Sequence, residues 1–521
     1  TETQRSSREF LCVSVPLWLC SAFPGFTNDM STNFNPGRLV MVDIPGKTLT
    51  PDEAAFLREQ GIRAVCLFRR NLGTEAEVRA LVSQLIEVMG PEALIGLDQE
   101  GGGVVRATFL PLAPAAMALG ACGDEALAEA TGAAVARGLR SLGINWNFAP
   151  VLDVNNNPAN PVIAERSFSA DPDEVARLAG AWMRGSLREG VACCVKHFPG
   201  HGDTHVDSHH ALPTVNKSRA ELEQLELRPF KALAAEAPSV MTAHIVYPQI
   251  DPELPATLSP ALLDGILRRD WGYEGVILTD ALMMKAVADR WGYARAAELA
   301  IAAGADMILA QGSLAEQRES LDALHSAFAE GRLSLTLGER AATRLDAMAR
   351  RFPARIEPDT AAQREEDEAL MQRGWAAGLT LLRGATPPAR HTPVRVIVQA
   401  KVPTDMVSEP GPSGQDAAGL FAGFADVVVQ EVDELSKLDW ASLPQDGRYR
   451  VLVTSRRGRY GAAAAGWRPD LHLALWNPYH ALDIAGPAVL AYGYAPGALA
   501  AVRAWLEGSA PANGKPPEGL Q

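Results

Sequence analysis

The sequence predicts an α/β protein: a (β/α)8 barrel followed by a smaller α/β layered domain of sandwich type. Three observations lead there. Eight short apolar runs alternate with helix-like patterns between residues 39 and 310. Polar residues suited to binding or proton transfer stand at the C-terminal ends of six of those runs. A second series of apolar runs begins beyond a charge-rich stretch, and 521 residues are too many for one ordinary core.

The eight runs are Leu39–Val42, Ala64–Phe68, Ala93–Leu97, Ile144–Phe148, Val191–Val195, Ser239–Ala243, Gly275–Leu278 and Asp306–Ala310. Each has the length of a buried parallel strand. Segments such as Glu75–Met89 and Ala126–Leu142 carry helical periodicity between them. Repeated strand–helix units close into a barrel whose chemistry lies at the C-terminal ends of the strands. Those ends carry Asp98, Asn147, Lys196, His197, His244, Asp280 and Gln311. The helix after the seventh run is expected to begin at Ala281, which places Asp280 at the junction.

Residues 352–372 read as a helical, charge-rich connector containing Arg364-Glu365-Glu366-Asp367-Glu368. Beyond it come Leu379–Leu382, Val394–Val398, Val427–Val429, Val451–Val453, Leu473–Trp476 and Ala488–Ala491, then a closing helix near Ala498–Leu506. The expected organisation is a leader or non-native start over 1–29, the barrel over 30–351, the connector over 352–372 and the second domain over 373–521. In the first segment, Arg5 and Arg8 precede a mostly apolar run from Phe10 to Phe23, broken by Pro16. It reads as a weak secretory signal or as sequence upstream of a true start at Met30. The expected location is the cytoplasm, with export if the leader is genuine.

A net charge of −14 and a pI near 5.3 argue against nucleic acid and anionic membrane as partners, since both need a basic face. No later apolar stretch approaches the ~20 residues of a membrane span. Of the six cysteines, Cys66, Cys193 and Cys194 lie inside apolar runs, and no pair has metal-ligand spacing. Buried reduced thiols are expected.

The most informative segment is Lys196–His210, which holds five of the ten histidines together with Asp203 and Asp207. It follows the fifth apolar run, so its polar residues are expected on the loop leaving that strand. Groups that titrate near neutral pH, gathered on one loop, suit proton transfer or metal binding. His201, His205 and His209 recur at every fourth residue, a zinc-compatible spacing on a helix, but Pro199-Gly200 and Gly202 disfavour a helix here.

This loop resembles the signature of bacterial β-N-acetylglucosaminidases of glycoside hydrolase family 3. Asp98-Gln99-Glu100-Gly101-Gly102, Asn147–Asp153, Glu165-Arg166-Ser167-Phe168 and Thr279-Asp280-Ala281-Leu282-Met283 agree in the same order. The resemblance runs from about Leu39 to Arg350 and is modest afterwards, at Asn477-Pro478-Tyr479 and the closing helix. It implies that Asp280 is the nucleophile and that His209, paired with Asp207, is the proton donor. It places sugar binding on Asp98, Arg106, Arg166, Lys196 and His197. It also implies a GlcNAc-containing carbohydrate as substrate, from cell-wall muropeptide fragments, and it requires no cofactor and no metal. In one departure, Gly103 stands where the family usually has arginine.

Retention at a sugar normally uses two carboxyl groups about 5–5.5 Å apart. Here a histidine replaces the second, since imidazole can give and later take a proton near neutral pH. Lys196 or a nearby arginine is expected to hold Asp280 ionised. Competing readings stand beside this one. A phosphorylase would use phosphate in place of water at the same site, because a histidine does not repel that anion. A metal-dependent barrel hydrolase and a non-catalytic sugar-binding protein are remoter. Residue by residue, Asp280 and Asp98 could be helix caps, His197 a core histidine, and Arg106 and Arg166 ordinary surface charges. His244 is expected to line the pocket. The oligomeric state, monomer or homodimer, is left open.

Overall fold

The computed structural model describes residues 34–404 and 407–520, so the leader assigned to 1–29 lies outside the described residues. Eight parallel strands close into a barrel. They are β1 (Val40–Asp43), β2 (Ala64–Cys66), β3 (Leu94–Leu97), β4 (Trp146–Asn147), β5 (Ala192–Phe198), β6 (Ser239–Thr242), β7 (Val276–Ala281) and β8 (Met307–Ala310). Closure comes from β1 pairing with β8, Val40 opposite Ile308. Their residues are nearly all buried, which is why the runs read as continuously apolar rather than alternating.

Helices cover the outside, and their starts are written in the sequence. Thr50 and Thr74 each accept from the backbone of a glutamate three residues on, which reaches back in turn: Glu53 for the helix Pro51–Glu59 and Glu77 for Glu75–Met89. Ser313 and Glu316 do the same for Leu314–Ala329. The helix expected over Ala126–Leu142 is Glu125–Ser141.

Two strands run further than their apolar stretches. β5 continues through Lys196, His197 and Phe198, so the first polar residues of the histidine segment stand on the strand and not on the loop. β7 continues through Thr279, Asp280 and Ala281, and the next helix begins only at Lys285. Asp280 is therefore not a helix cap. Both extensions carry polar residues at the barrel's open end, where period and hydropathy stop marking a strand.

The charge-rich stretch forms the helix Ala361–Gly378. It lies against the barrel because Asp367, 3% exposed, pairs with Arg137. The second domain is a six-stranded sheet of β9 (Thr380–Leu382), β10 (Val394–Gln399), β11 (Val427–Val432), β12 (Tyr449–Thr454), β13 (Leu471–Ala474) and β14 (Ala488–Leu490). Its order is β9-β14-β13-β12-β10-β11, with β9 antiparallel to β14 and the remaining pairs parallel. The fifth strand begins two residues earlier than the apolar run Leu473–Trp476 suggested, because His472 is buried inside the sheet. One apolar cluster is common to both domains: Met117 and Ala118 from the barrel with Trp375, Tyr479 and Tyr492 from the chain beyond it.

Among the described residues the free cysteines include Cys66, Cys193 and Cys194, all buried. Burial pushes the Cys193 and Cys194 thiols up to about 12. No helix of the described residues is long and apolar enough to cross a membrane.

Candidate active site

The C-terminal ends of β3, β5 and β7 and the loops after β3, β4 and β5 converge on one pocket. Asp98, Arg106, Arg166, Lys196, His197, His209 and Asp280 all line it. Asp207 lies behind His209. Gln311, from the end of β8, also lines it.

One side is an ion network. Lys196, 2% exposed, donates to Asp98 Oδ1 at 2.6 Å and lies 2.6 Å from Glu100 Oε1. Arg166 grips both oxygens of Glu100 at 2.8 Å. Arg106 donates to Asp98 Oδ2 at 3.4 Å and to the Val407 carbonyl at 2.8 Å. Burial works to push the carboxyls of Asp98 and Glu100 up, but the cations beside them prevail and hold both below the usual range. Burial likewise works to lower Lys196, and the two carboxylates keep it above its ordinary value. The result is a fixed set of charged donors and acceptors, suited to several hydroxyl groups of one sugar ring. Arg106 and Arg166 are therefore buried site groups and not surface charges.

His197 is held from behind. Its Nδ1 meets Asp153 Oδ2 at 2.7 Å, and the backbone N–H groups of His197 and His201 donate to Asp153 Oδ1 at 3.2 and 2.6 Å. Asp153 is fully buried; burial works to raise its carboxyl, and His197 and His201 keep it below the ordinary range. Such a partner fixes the ring's orientation and tautomer.

On the loop after β5, His209 Nδ1 lies 2.8 Å from Asp207 Oδ1, which also accepts the His209 backbone N–H at 2.9 Å. Opposing its burial, the contact with His209 holds the Asp207 carboxyl well below the usual range. His201 stabilises the loop, its two ring nitrogens meeting Thr204 and Ser208 at 2.9 and 3.1 Å. Burial, then His197, pulls His201 down to about 4. His205 lies 3.3 Å from Asn157. The histidines of the every-fourth-residue pattern thus face separate partners. Among the described residues no three His, Cys, Asp or Glu side chains form a set that could hold a metal ion.

Asp280 accepts the Ala281 N–H at 2.8 Å. Burial works to raise it, and His244, His197 and His209 together bring it below the usual carboxylate range. The expected role of Lys196 or an arginine falls to these histidines, because the cations are engaged by Asp98 and Glu100. His244 does not line the pocket; its nitrogens meet Thr257 Oγ1 at 2.7 Å and the Ala281 carbonyl at 2.9 Å, which steadies the segment after Asp280. Asn147, another strand-end residue, clamps the backbone of Gln99.

Sequence reasoning assigned no role to Glu100, Asp153 or Val407. The first two lie within segments it singled out, so acidic residues inside those motifs were the available signal. Val407 gave none.

Residues 34–348 match the family model described as glycosyl hydrolase family 3 N terminal domain. A β-hexosaminidase of Chromobacterium violaceum is 40% identical over 300 residues, covering 56% of this chain and 82% of that protein. The solved glycoside hydrolase family 3 β-N-acetylglucosaminidase from Paenibacillus sp. str. FPU-7 is 34% identical, with a TM-score of 0.84 over 94% of this chain and 98% of that one. A β-glucoside phosphorylase shares the fold, with a TM-score of 0.78 at 23% identity over 94% of this chain and 93% of that one.

Proposed function

We propose that this chain, which belongs to glycosyl hydrolase family 3, is a retaining exo-glycosidase that removes terminal β-linked N-acetylglucosamine. The observation that carries the reading is one pocket lined by an ionised carboxylate, Asp280, and by a histidine backed by a carboxylate, His209 with Asp207. The likeness to the Chromobacterium β-hexosaminidase and the Paenibacillus β-N-acetylglucosaminidase supports the substrate class.

The chemistry follows from the contacts. Asp280 attacks the anomeric carbon and forms a glycosyl ester as the bond to the leaving oxygen breaks. Because Nδ1 of His209 is engaged by Asp207, Nε2 is the atom that gives the departing oxygen its proton. His209 then takes a proton from the water that attacks the ester, releasing the sugar and restoring Asp280. Asp98, Arg106, Arg166, Lys196 and His197 hold the ring hydroxyls. The natural substrates are GlcNAc-bearing fragments of cell-wall muropeptide type, in line with the motif resemblance.

The test is turnover of chromogenic β-GlcNAc and β-glucoside, each with and without phosphate. The reading expects free N-acetylglucosamine, a wide preference for the N-acetyl sugar, and no dependence on phosphate. A site built to hydrogen-bond an acetamido group can reject the sugar lacking it by up to about 10⁴-fold. Accumulation of a sugar 1-phosphate would make the protein a phosphorylase; equal rates on both sugars would remove the substrate assignment.

A further inference from the structure

We infer that Glu409, together with the Val407 carbonyl, is the positioning element for Arg106 in the sugar pocket. The inference rests on the glycosidase reading above.

Val407 lines the same pocket as Asp98 and Asp280 although it belongs to the second domain. Its side chain is buried in an apolar cluster with Val104, Val162 and Ile163, all from the barrel. Its carbonyl accepts Arg106 Nη1 at 2.8 Å, and Glu409 Oε1 lies 3.8 Å from the same nitrogen. A guanidinium on a flexible stem is thus held on one side by Asp98 and on the other by the second domain.

The segment is itself pinned. The Glu409 N–H donates to the Gly103 carbonyl at 3.0 Å, Tyr494 donates its hydroxyl to the Glu409 carbonyl at 2.6 Å, and Glu409 Oε2 lies 3.5 Å from Arg69. A Cβ at position 103 would stand 3.3 Å from Tyr494 Oη, 3.4 Å from Ser408 Oγ and 3.5 Å from Trp476. A first carbon is tolerable there, but a longer side chain would run into the second domain. The glycine at 103 thus leaves the space that the docked segment occupies.

A second contact supports the same geometry. Arg457 donates to the Val162 carbonyl at 2.7 Å, and that oxygen also accepts Arg166 Nη1 at 3.1 Å. Both arginines of the sugar cluster therefore touch groups that the second domain sets or shares.

The test is a double-mutant cycle on the full chain, with steady-state kinetics on an aryl β-glycoside that the wild type hydrolyses. Glu409→Gln is expected to raise KM about tenfold with a far smaller change in kcat and an unchanged unfolding midpoint. In an Arg106→Ala background, or Arg106→Gln if that protein folds poorly, the same change is expected to alter KM by less than about twofold, because its effect runs through the Arg106 charge. Additive effects in the cycle, or a lowered midpoint with KM unchanged, would overturn the inference. A wild type inert on β-GlcNAc but active on another β-glycoside would refute the proposed substrate while leaving the cycle, run on that glycoside, a full test of this one.

Discussion

Glu100→Gln keeps the side chain's shape and removes one negative charge from between Arg166 and Lys196. Arg166 would lose both of its 2.8 Å contacts to a carboxylate and keep the Val162 carbonyl at 3.1 Å. Lys196 would still have Asp98 at 2.6 Å. Removing one partner of a buried pair typically costs 3–5 kcal/mol, and because Asp98 still compensates Lys196 the expected loss is about 3 kcal/mol. The assay is urea unfolding at several pH values, with KM measured on the same preparations. The sign follows from Glu100 being held below the usual glutamate range. Its stabilisation is complete above the unfolded value, about 4.3, and is lost as pH falls through the folded value. The gap between wild type and variant should be widest near neutral pH and shrink below about pH 4.3. KM should rise, since Arg166 is no longer held in place. Equal stability at pH 7, or a gap that grows on acidification, would refute the reasoning.

His209→Ala should slow glycosides with poor leaving groups by about 10²–10⁴-fold and activated aryl glycosides far less, as a plot of rate against leaving-group acidity would reveal. Equal losses across the series would deny His209 the role of acid. Asp153→Asn should destabilise the fold by at least about 1.5 kcal/mol in urea unfolding, because a buried charged acceptor of several hydrogen bonds is neutralised, and should raise KM by loosening His197. An unchanged midpoint and KM would mean Asp153 does not hold the ring. Prolonged EDTA treatment should leave kcat unchanged; activity lost to the chelator and restored by zinc would revive a metal mechanism.

The barrel was legible because eight buried strands, covered on both faces, print themselves as uninterrupted apolar runs, and because strand C-termini are where a barrel places its polar groups. Legibility failed at the strand ends. Lys196, His197, Thr279 and Asp280 are polar residues in regular strand conformation, so hydropathy ended β5 and β7 too early and suggested a cap for Asp280. It failed again where a partner is remote in sequence. Asp153 meets His197 across 44 positions, and Arg106 meets Val407 across 301. No local pattern announces such contacts. The resemblance supplied residue types but not the alternation of cations and carboxylates that engages Lys196 with Asp98 and Glu100 and leaves Asp280 to the histidines.

The central claim is that Asp280 becomes covalently bonded to the sugar during turnover, and trapping that ester tests it most directly. The enzyme is incubated with a 5-fluoro glycosyl fluoride of N-acetylglucosamine, digested with a protease, and the labelled peptide is sequenced by mass spectrometry. The expected result is one sugar per chain on the peptide that carries Asp280, and no label on an Asp280→Ala chain. Label on another residue, or no label together with tight binding of a thiazoline-type inhibitor, would contradict the account.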